Sequence, residues 1–322
     1  MPEKQIIEKC SAVIQWVSSV NGASPRRGYI PTSIRMGNNV EMPFVGLGTG
    51  GMPSSEPEID FAVRTALDLG YTHIDVTAGF HATIGAILKE YFELGKLSRK
   101  DIFITAKLPC TSHGRSSVEK SLRSQLETLQ LDYVDLFLIN TPCGVQIYRL
   151  KLARAIGISN FNVDQIQRVY STAEVKPHNL QVEVHLHWPQ KELVVLCQSL
   201  NVCLTAYAPI GSPGQLPKFG VEKASPLAEP LVLMLADKYK KSPAQILLRH
   251  LTQRNIVVIP KSTNAQRLKE NLDSLKFTIS DIDMEALGNI KPKRRVYTYI
   301  HRRNHPEYPF CELDDEEYPI TV

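Results

Sequence analysis

The chain has 322 residues, 43% hydrophobic and 22% charged, an ordinary globular composition long enough for one large core. Its net charge of +4 is too small to imply nucleic-acid binding, and no apolar run approaches the length of a membrane span. The six cysteines, at 10, 110, 143, 197, 203 and 311, lack metal-ligand spacing, which argues against disulfides and for a reducing, cytoplasmic setting.

Residues 1–32 carry Glu3, Lys4, Glu8 and Lys9 ahead of a broken apolar stretch, unlike a secretory signal. Ile6, Ile7, Cys10, Val13, Ile14 and Val17 recur at helical spacing, so this arm reads as a short amphipathic helix in a loosely attached extension. Ser33–Arg35 and Val40–Met42 then flank Gly37-Asn38, a hairpin signal. Eight strand-like segments follow: Phe44–Gly50, Thr72–Ala78, Ile102–Leu108, Val134–Asn140, Arg154–Ser159, Asn179–His185, Cys203–Pro209 and Ile256–Pro260. Most alternate with helical patterns, such as Glu58–Leu69, Ser116–Leu129, Gln190–Leu200 and Pro243–Gln253, the last opened by a Ser242 cap and a first-turn proline. Strands separated by helices pair in parallel, and eight such units make an α/β fold of the (β/α)8 TIM-barrel type. One unit is short. Only about a dozen residues, Thr141–Leu152, separate the fourth strand from the fifth, whereas a βαβ unit takes roughly 30 or more. The fourth crossover helix is therefore shortened or missing: either the barrel wall is open there or the sequence reflects a skipped exon.

The segment IVVIPKSTNAQRLKEN (256–271) runs from a β-branched strand into a helix near Ala265, with Thr263 and Asn264 as good caps. Such a helix start offers N–H groups and partial positive charge to an anion. Lys261 and Arg267 add cationic groups suited to phosphate, and Glu270 and Asn271 add polar groups one turn on. The basic run Lys291 to Arg303 reads as a solvated loop. His185 and His187 share a strand face but lack a third ligand, so no metal site is expected.

Five pieces, VEMPFVGLGT (40–49), LGYTHID (69–75), LDYVDLFLI (131–139), RAIGISNFN (154–162) and IPKSTNAQRLKENL (259–272), together resemble the aldo-keto reductase family over about Ser33–Phe310. The resemblance implies a hairpin that plugs the barrel floor and a barrel spanning 33–322, with a C-terminal lid loop from about 291. It also implies NADP(H) as coenzyme and a small-molecule carbonyl as substrate. Lys261, Ser262, Arg267, Glu270 and Asn271 match the residues that hold the adenosine 2′-phosphate and adenine. Ser159 and Asn160 match the pair that holds the nicotinamide carboxamide, with Gln181 as a third partner, and Tyr207 matches the stacking ring. Gly48 and Thr49 fit a close backbone approach to the coenzyme, and the resemblance implies that the backbone of Ala208, Ile210 and Ser212 contributes to holding the pyrophosphate. Nothing in the sequence marks an oligomer, so a monomer is expected.

Family chemistry uses a tyrosine as proton donor, a lysine and an aspartate behind it, and a histidine that orients the carbonyl. Asp75 and Lys107 match two of the four. Five residues on from Asp75 stands Phe80; counting back from Gly85 lands nearer Ala78, and neither carries a phenol. Asn140 stands where the histidine belongs; its amide is still able to donate to a carbonyl oxygen. His81 is the obvious substitute acid. Loss of a general acid costs roughly 10²–10⁴ in rate. Three readings follow: a reductase with a modified site, an NADP(H)-binding pseudoenzyme that presents a surface to a partner, or a truncated product that barely folds.

Overall fold

The computed structural model describes residues 30–50, 55–77, 79–109, 112, 115–139, 150–214, 225–291, 294–299 and 302–310. The helical reading of 6–17, the Ala78 alternative, Asn140 with residues 141–149, and 311–322 lie outside the described residues. Contacts divide the chain into Met1–Pro31 and Thr32–Val322, and the second unit carries every element named below.

That unit opens with an antiparallel hairpin, β1 (Ser33–Arg35) and β2 (Glu41–Pro43), paired from Ser33↔Pro43 to Arg35↔Glu41. The second strand starts one residue later than the sequence pattern indicates because the turn absorbs Val40. The Met36 N–H donates to the Val40 carbonyl at 2.9 Å, and Asn39 takes φ 64°, a conformation asparagine tolerates.

Eight parallel strands follow in sequential order: β3 (Leu47–Gly48), β4 (His73–Asp75), β5 (Phe103–Lys107), β6 (Val134–Ile139), β7 (Ala153–Ser159), β8 (Asn179–Glu183), β9 (Cys203–Tyr207) and β10 (Ile256–Val258). The described helices are α1 (Glu56–Asp68), α2 (His81–Glu93), α3 (Arg115–Leu129), α4 (Val163–Thr172), α5 (Lys191–Ser199), α6 (Pro230–Tyr239), α7 (Pro243–Thr252), α8 (Ala265–Asp273) and α9 (Asp281–Gly288). Every residue of β6 is buried, as expected of a parallel strand covered on both faces. Helix starts follow side-chain chemistry: Ser242 accepts from the Gln245 N–H at 3.4 Å while the Gln245 side chain takes the Ser242 N–H at 2.9 Å.

The two ends of the sheet meet. Val45 bridges Val258 in parallel, the Gly46 N–H donates to the Val258 carbonyl at 2.9 Å, and the Val258 N–H donates to that of Phe44 at 2.8 Å. This closure explains two glycines. A Cβ on Gly48 would sit 2.4 Å from the Ile259 carbonyl oxygen, and one on Gly46 would sit 2.4 Å from the His73 ring. The strands are shorter than their apolar runs at the C-terminal end because the backbone there turns to other partners. The Thr77 N–H, for example, donates to the Thr49 hydroxyl at 2.9 Å. Across the short unit, β6 and β7 pair from Val134↔Ala153 to Ile139↔Ile158.

His73 is fully buried on β4, 3.0 Å from the Thr105 hydroxyl, and His250 is buried on α7. Burial pushes their pKa values down, His73 to about 4 and His250 to about 3. Both are thus neutral in the folded chain and take up protons on unfolding, so stability is full above the unfolded value near 6.5 and is lost as pH falls toward 4. Unfolding free energies from denaturant titration are expected to drop between pH 7 and pH 5 by about 2 kcal/mol per buried histidine. His73→Gln should flatten that slope in the same titration.

Candidate active site and coenzyme cleft

The C-terminal ends of the strands gather around Asp75, which is 2% exposed at the end of β4. One carboxylate oxygen pairs with the Lys107 ammonium from the end of β5. The other accepts the Gln181 amide N–H at 2.8 Å from β8, four strands away in sheet order. The Asp75 backbone carbonyl accepts from the Thr49 hydroxyl at 2.9 Å. Gln181, expected beside the nicotinamide, is thus also a partner of the aspartate. A buried carboxylate requires such saturation, because each unmet lone pair costs desolvation energy.

Phe80 stands half-buried just before α2, packed against the main core, with its N–H 3.3 Å from the Thr77 carbonyl. His81 begins α2, and its Nε2 lies 3.2 Å from the Gln125 side-chain oxygen. The Gln125 amide nitrogen in turn donates to the Lys107 carbonyl at 3.1 Å. With that nitrogen as donor, the oxygen faces His81, so the imidazole Nε2–H donates to it. Burial lowers the His81 pKa, opposed by the Gln125 hydrogen bond. Gln125 escapes a reading of the sequence because a polar residue on a helix such as α3 reads as solvent-facing.

The residues expected at the nicotinamide lie at the ends of β7, β8 and β9. Ser159 is buried and registers with Gln181; Asn160 donates its N–H to the Gln181 carbonyl at 3.0 Å, with φ 60°. The Tyr207 hydroxyl donates to Asn160 Oδ1 at 2.8 Å. Burial, then the neighbouring Tyr299 and the charge on Glu183, push the Tyr207 phenol well above its ordinary pKa. The chain beyond β9 is contorted: Ala208 has φ 50°, Gly211 φ 77° and Ser212 φ 46°. Non-glycine residues in this region carry strain of order 1–3 kcal/mol, a cost that clusters at ligand clamps. Ile210 in this loop packs against both large core clusters.

Near the residues expected at the adenosine, the Gly48 N–H donates to the Pro260 carbonyl at 3.2 Å, which sets Gly48 and Thr49 beside Lys261. Asn264, not Thr263, caps α8 by accepting the Arg267 N–H at 3.0 Å; the Ser262 hydroxyl accepts the Asn264 N–H at 3.1 Å. Arg267 is exposed at this helix start, and partial burial lowers the Lys261 pKa against the opposing charge of Glu58. Glu270 is engaged by the Gln266 amide at 2.9 Å, and Asn271 is buried.

His185 bonds Glu183 at 2.9 Å and His187 lies 3.4 Å from Glu229. Among the described residues no group of three or more His, Cys, Asp or Glu is placed to hold a metal, and no helix is long and apolar enough to cross a membrane. The basic run expected to be a solvated loop is partly interior: Arg295 is 3% exposed, with its guanidinium 3.7 Å from the Phe310 ring centre.

The sequence profile of the aldo/keto reductase family matches residues 45–291. The chain belongs to this family. It is 37% identical over 316 residues to aldo-keto reductase family 1 member A1 of Gallus gallus, covering 85% of this chain and 95% of the relative. The human protein of the same name is 37% identical over 313 residues, covering 84% and 95%. Among solved structures, an aldose reductase from Schistosoma japonicum aligns with a TM-score of 0.79 at 34% identity, covering 88% of this chain and 99% of that one. An aldo-keto reductase of Bombyx mori, crystallised in complex with NADP, aligns equally well, with a TM-score of 0.79 at 34% identity over 88% and 100%. Membership makes the closure at Gly48 a test of the barrel itself. Gly48→Ala, which drives a Cβ into the Ile259 carbonyl, is expected to cost about 1–3 kcal/mol, read as a lowered melting temperature.

Proposed function

We propose that the chain binds NADP(H) in this cleft and reduces small aldehydes or ketones to alcohols, at a rate well below that of the same site bearing a tyrosine at position 80. The observation that carries this reading is the Asp75–Lys107–Gln181 network at the strand ends, with Phe80, five residues on from Asp75, carrying no proton to give. Bound coenzyme supplies the hydride for the carbonyl carbon; the chain's own part is to bind, orient and deliver a proton.

The donor set fits that ligand. Lys261, Ser262 and Arg267 at the capped start of α8 suit a 2′-phosphate, with Glu270 and Asn271 toward the adenine. Backbone N–H groups around the strained residues 208–212 suit the pyrophosphate. Ser159, Asn160 and Gln181 suit the carboxamide, and Tyr207 offers a ring face.

Proton delivery is the weak step. The His81 Nε2–H is committed to Gln125, and burial lowers its pKa against that hydrogen bond. The phenols nearest the nicotinamide half, Tyr207, Tyr297 and Tyr299, are raised by burial, the wrong direction for an acid. Asn140, as the residue that follows β6 in sequence, supplies only an amide donor to the carbonyl oxygen. This reading keeps the short fourth crossover as a real feature, with residues 1–32 an extension of a barrel over 33–322, lidded from about 291. It takes the chain as a cytoplasmic monomer that binds neither nucleic acid nor membrane.

The same missing phenol favours a second reading, an NADP(H)-binding pseudoenzyme with a regulatory or partner-binding role. Phe80→Tyr separates the two. On a panel of aldehydes with NADPH, the variant is expected to gain roughly 10²–10⁴ in rate with coenzyme affinity unchanged. Unchanged turnover with intact binding selects the pseudoenzyme. Lys261→Ala and Arg267→Ala are each expected to weaken NADPH about tenfold or more while leaving NADH affinity nearly constant, measured by fluorescence titration. Equal losses for both coenzymes would remove these residues from the 2′-phosphate.

A further inference from the structure

We propose that Glu183 is a positioning residue for the nicotinamide half of the site, acting through residues 295–299; the proposal rests on the NADP(H) reading above. Glu183 ends β8 and is 0% exposed. Its Oε1 accepts His185 Nε2 at 2.9 Å and the Val296 N–H at 2.6 Å; its Oε2 accepts the Tyr297 N–H at 2.8 Å. Two consecutive backbone N–H groups therefore converge on one buried carboxylate, the geometry of a backbone anion nest. Burial opposes its ionisation, but the His185 hydrogen bond, the nearby His185 and Arg295 charges and the Val296 N–H outweigh it and hold the acid below the usual carboxylate range. The segment is not free to lift away without stranding that charge, which is costly in a dry interior.

What Glu183 holds, in turn, braces Tyr207. Glu183 and Tyr207 are cross-strand partners on β8 and β9. The Tyr297 ring meets the Tyr207 ring edge-on, centres 5.6 Å apart at 77°, and the Tyr297 hydroxyl lies 3.1 Å from that of Ser212. The Tyr299 side chain hydrogen-bonds Tyr207, whose hydroxyl also donates to Asn160. A ring fixed in this way presents a preorganised stacking face, and preorganisation adds affinity by sparing the ordering cost at binding. The far end of the segment has anchors of its own and also touches 295–299, where the Tyr308 hydroxyl donates to the Thr298 carbonyl at 2.6 Å. Glu307 pairs with Arg168, and Asn162 donates to the Pro309 carbonyl at 3.1 Å. Loss of Glu183 thus releases the Val296 and Tyr297 N–H groups, while Thr298 and Tyr299 keep their contacts to Tyr308 and Phe310.

The test compares NADPH with adenosine 2′,5′-bisphosphate, which lacks the nicotinamide half, on the full chain and its Glu183→Gln variant. This substitution keeps the size of the side chain but turns an N–H toward one of the two backbone donors. NADPH is expected to bind about tenfold more weakly to the variant, with bisphosphate affinity within about twofold of wild type. Equal loss for both ligands would show a merely structural role, and no loss or a gain for NADPH would show that the segment does not brace the site; each overturns the proposal. Wild type that binds neither ligand refutes the coenzyme reading, and the positioning role with it. Should Glu183→Gln fail to fold, Tyr299→Phe removes the hydroxyl on Tyr207 with Glu183 in place. It is expected to show the same one-sided loss, and wild-type NADPH affinity in that variant would overturn the proposal.

Discussion

The arrangement at the mouth of the sheet depends on one buried negative charge. Asp75 lies where water is excluded, so its carboxylate persists only if both oxygens find donors. Those donors come from β5 and from β8 on the far side of the sheet, while Thr49 after β3 holds the aspartate's backbone carbonyl. One residue therefore correlates four strands, three of them through its desolvated carboxylate. Lys107, held by Asp75 yet partly exposed, keeps its ammonium at the strand ends with little freedom to choose another partner. A separate buried carboxylate, Asp135 on β6, does the same for the next strand pair. It takes the Arg99 and Arg154 guanidiniums at 2.7 Å each and the Ile104 N–H at 2.9 Å. Because Arg154 is on β7, this cluster ties together the two strands joined by the short connection.

Much of this is legible in the sequence. The parallel strands stand out as β-branched, apolar runs spaced by helical patterns, since strands covered on both faces need apolar residues throughout. Their last residues do not, because at the C-terminal ends backbone groups leave the ladder for side chains such as Thr49, which no periodicity marks. The choice of Asn264 over Thr263 as cap is likewise a matter of one residue of backbone geometry. The Asp75–Lys107 pair is visible from its position at two strand ends. The Gln181 contact to Asp75 is not, since it crosses the sheet and sequence distance says nothing about who faces whom. Glu183 does carry a signal: a carboxylate ending an otherwise apolar strand, NLQVE, at the end where α/β barrels keep their sites.

The groups suited to a nucleotide and the position proposed for the proton donor are different residues, so the proposed loss of one does not entail loss of the other. The groups suited to the nucleotide sit on β7 to β10, the start of α8 and the loop past Tyr207. The Phe80 backbone N–H donates to the Thr77 carbonyl, so the tie between position 80 and Thr49 runs through backbone and not through the ring. Replacing a phenol by phenylalanine there keeps the apolar packing against the core and removes only a hydroxyl. Folding is indifferent to that change, and so is an anion held by Lys261 and Arg267. Lys107 keeps its structural partner in either case, because the buried Asp75 must stay paired whether or not a proton is delivered.

Strain and charge argue the same way. A loop that keeps Ala208 and Ser212 at positive φ, and an Asn160 likewise, holds conformations that folding alone does not favour. Their cost is offset locally by contacts that also shape the cleft: Ser212 against Tyr297, Asn160 against Tyr207, and Tyr297 against Glu183. These contacts form a chain from the buried carboxylate on β8 to the strained loop past β9. A relaxed loop would need none of them. The arrangement makes physical sense if a ligand that engages those backbone N–H groups returns the energy stored in the loop, and an anionic, ring-bearing coenzyme has the charge and the flat face to do so.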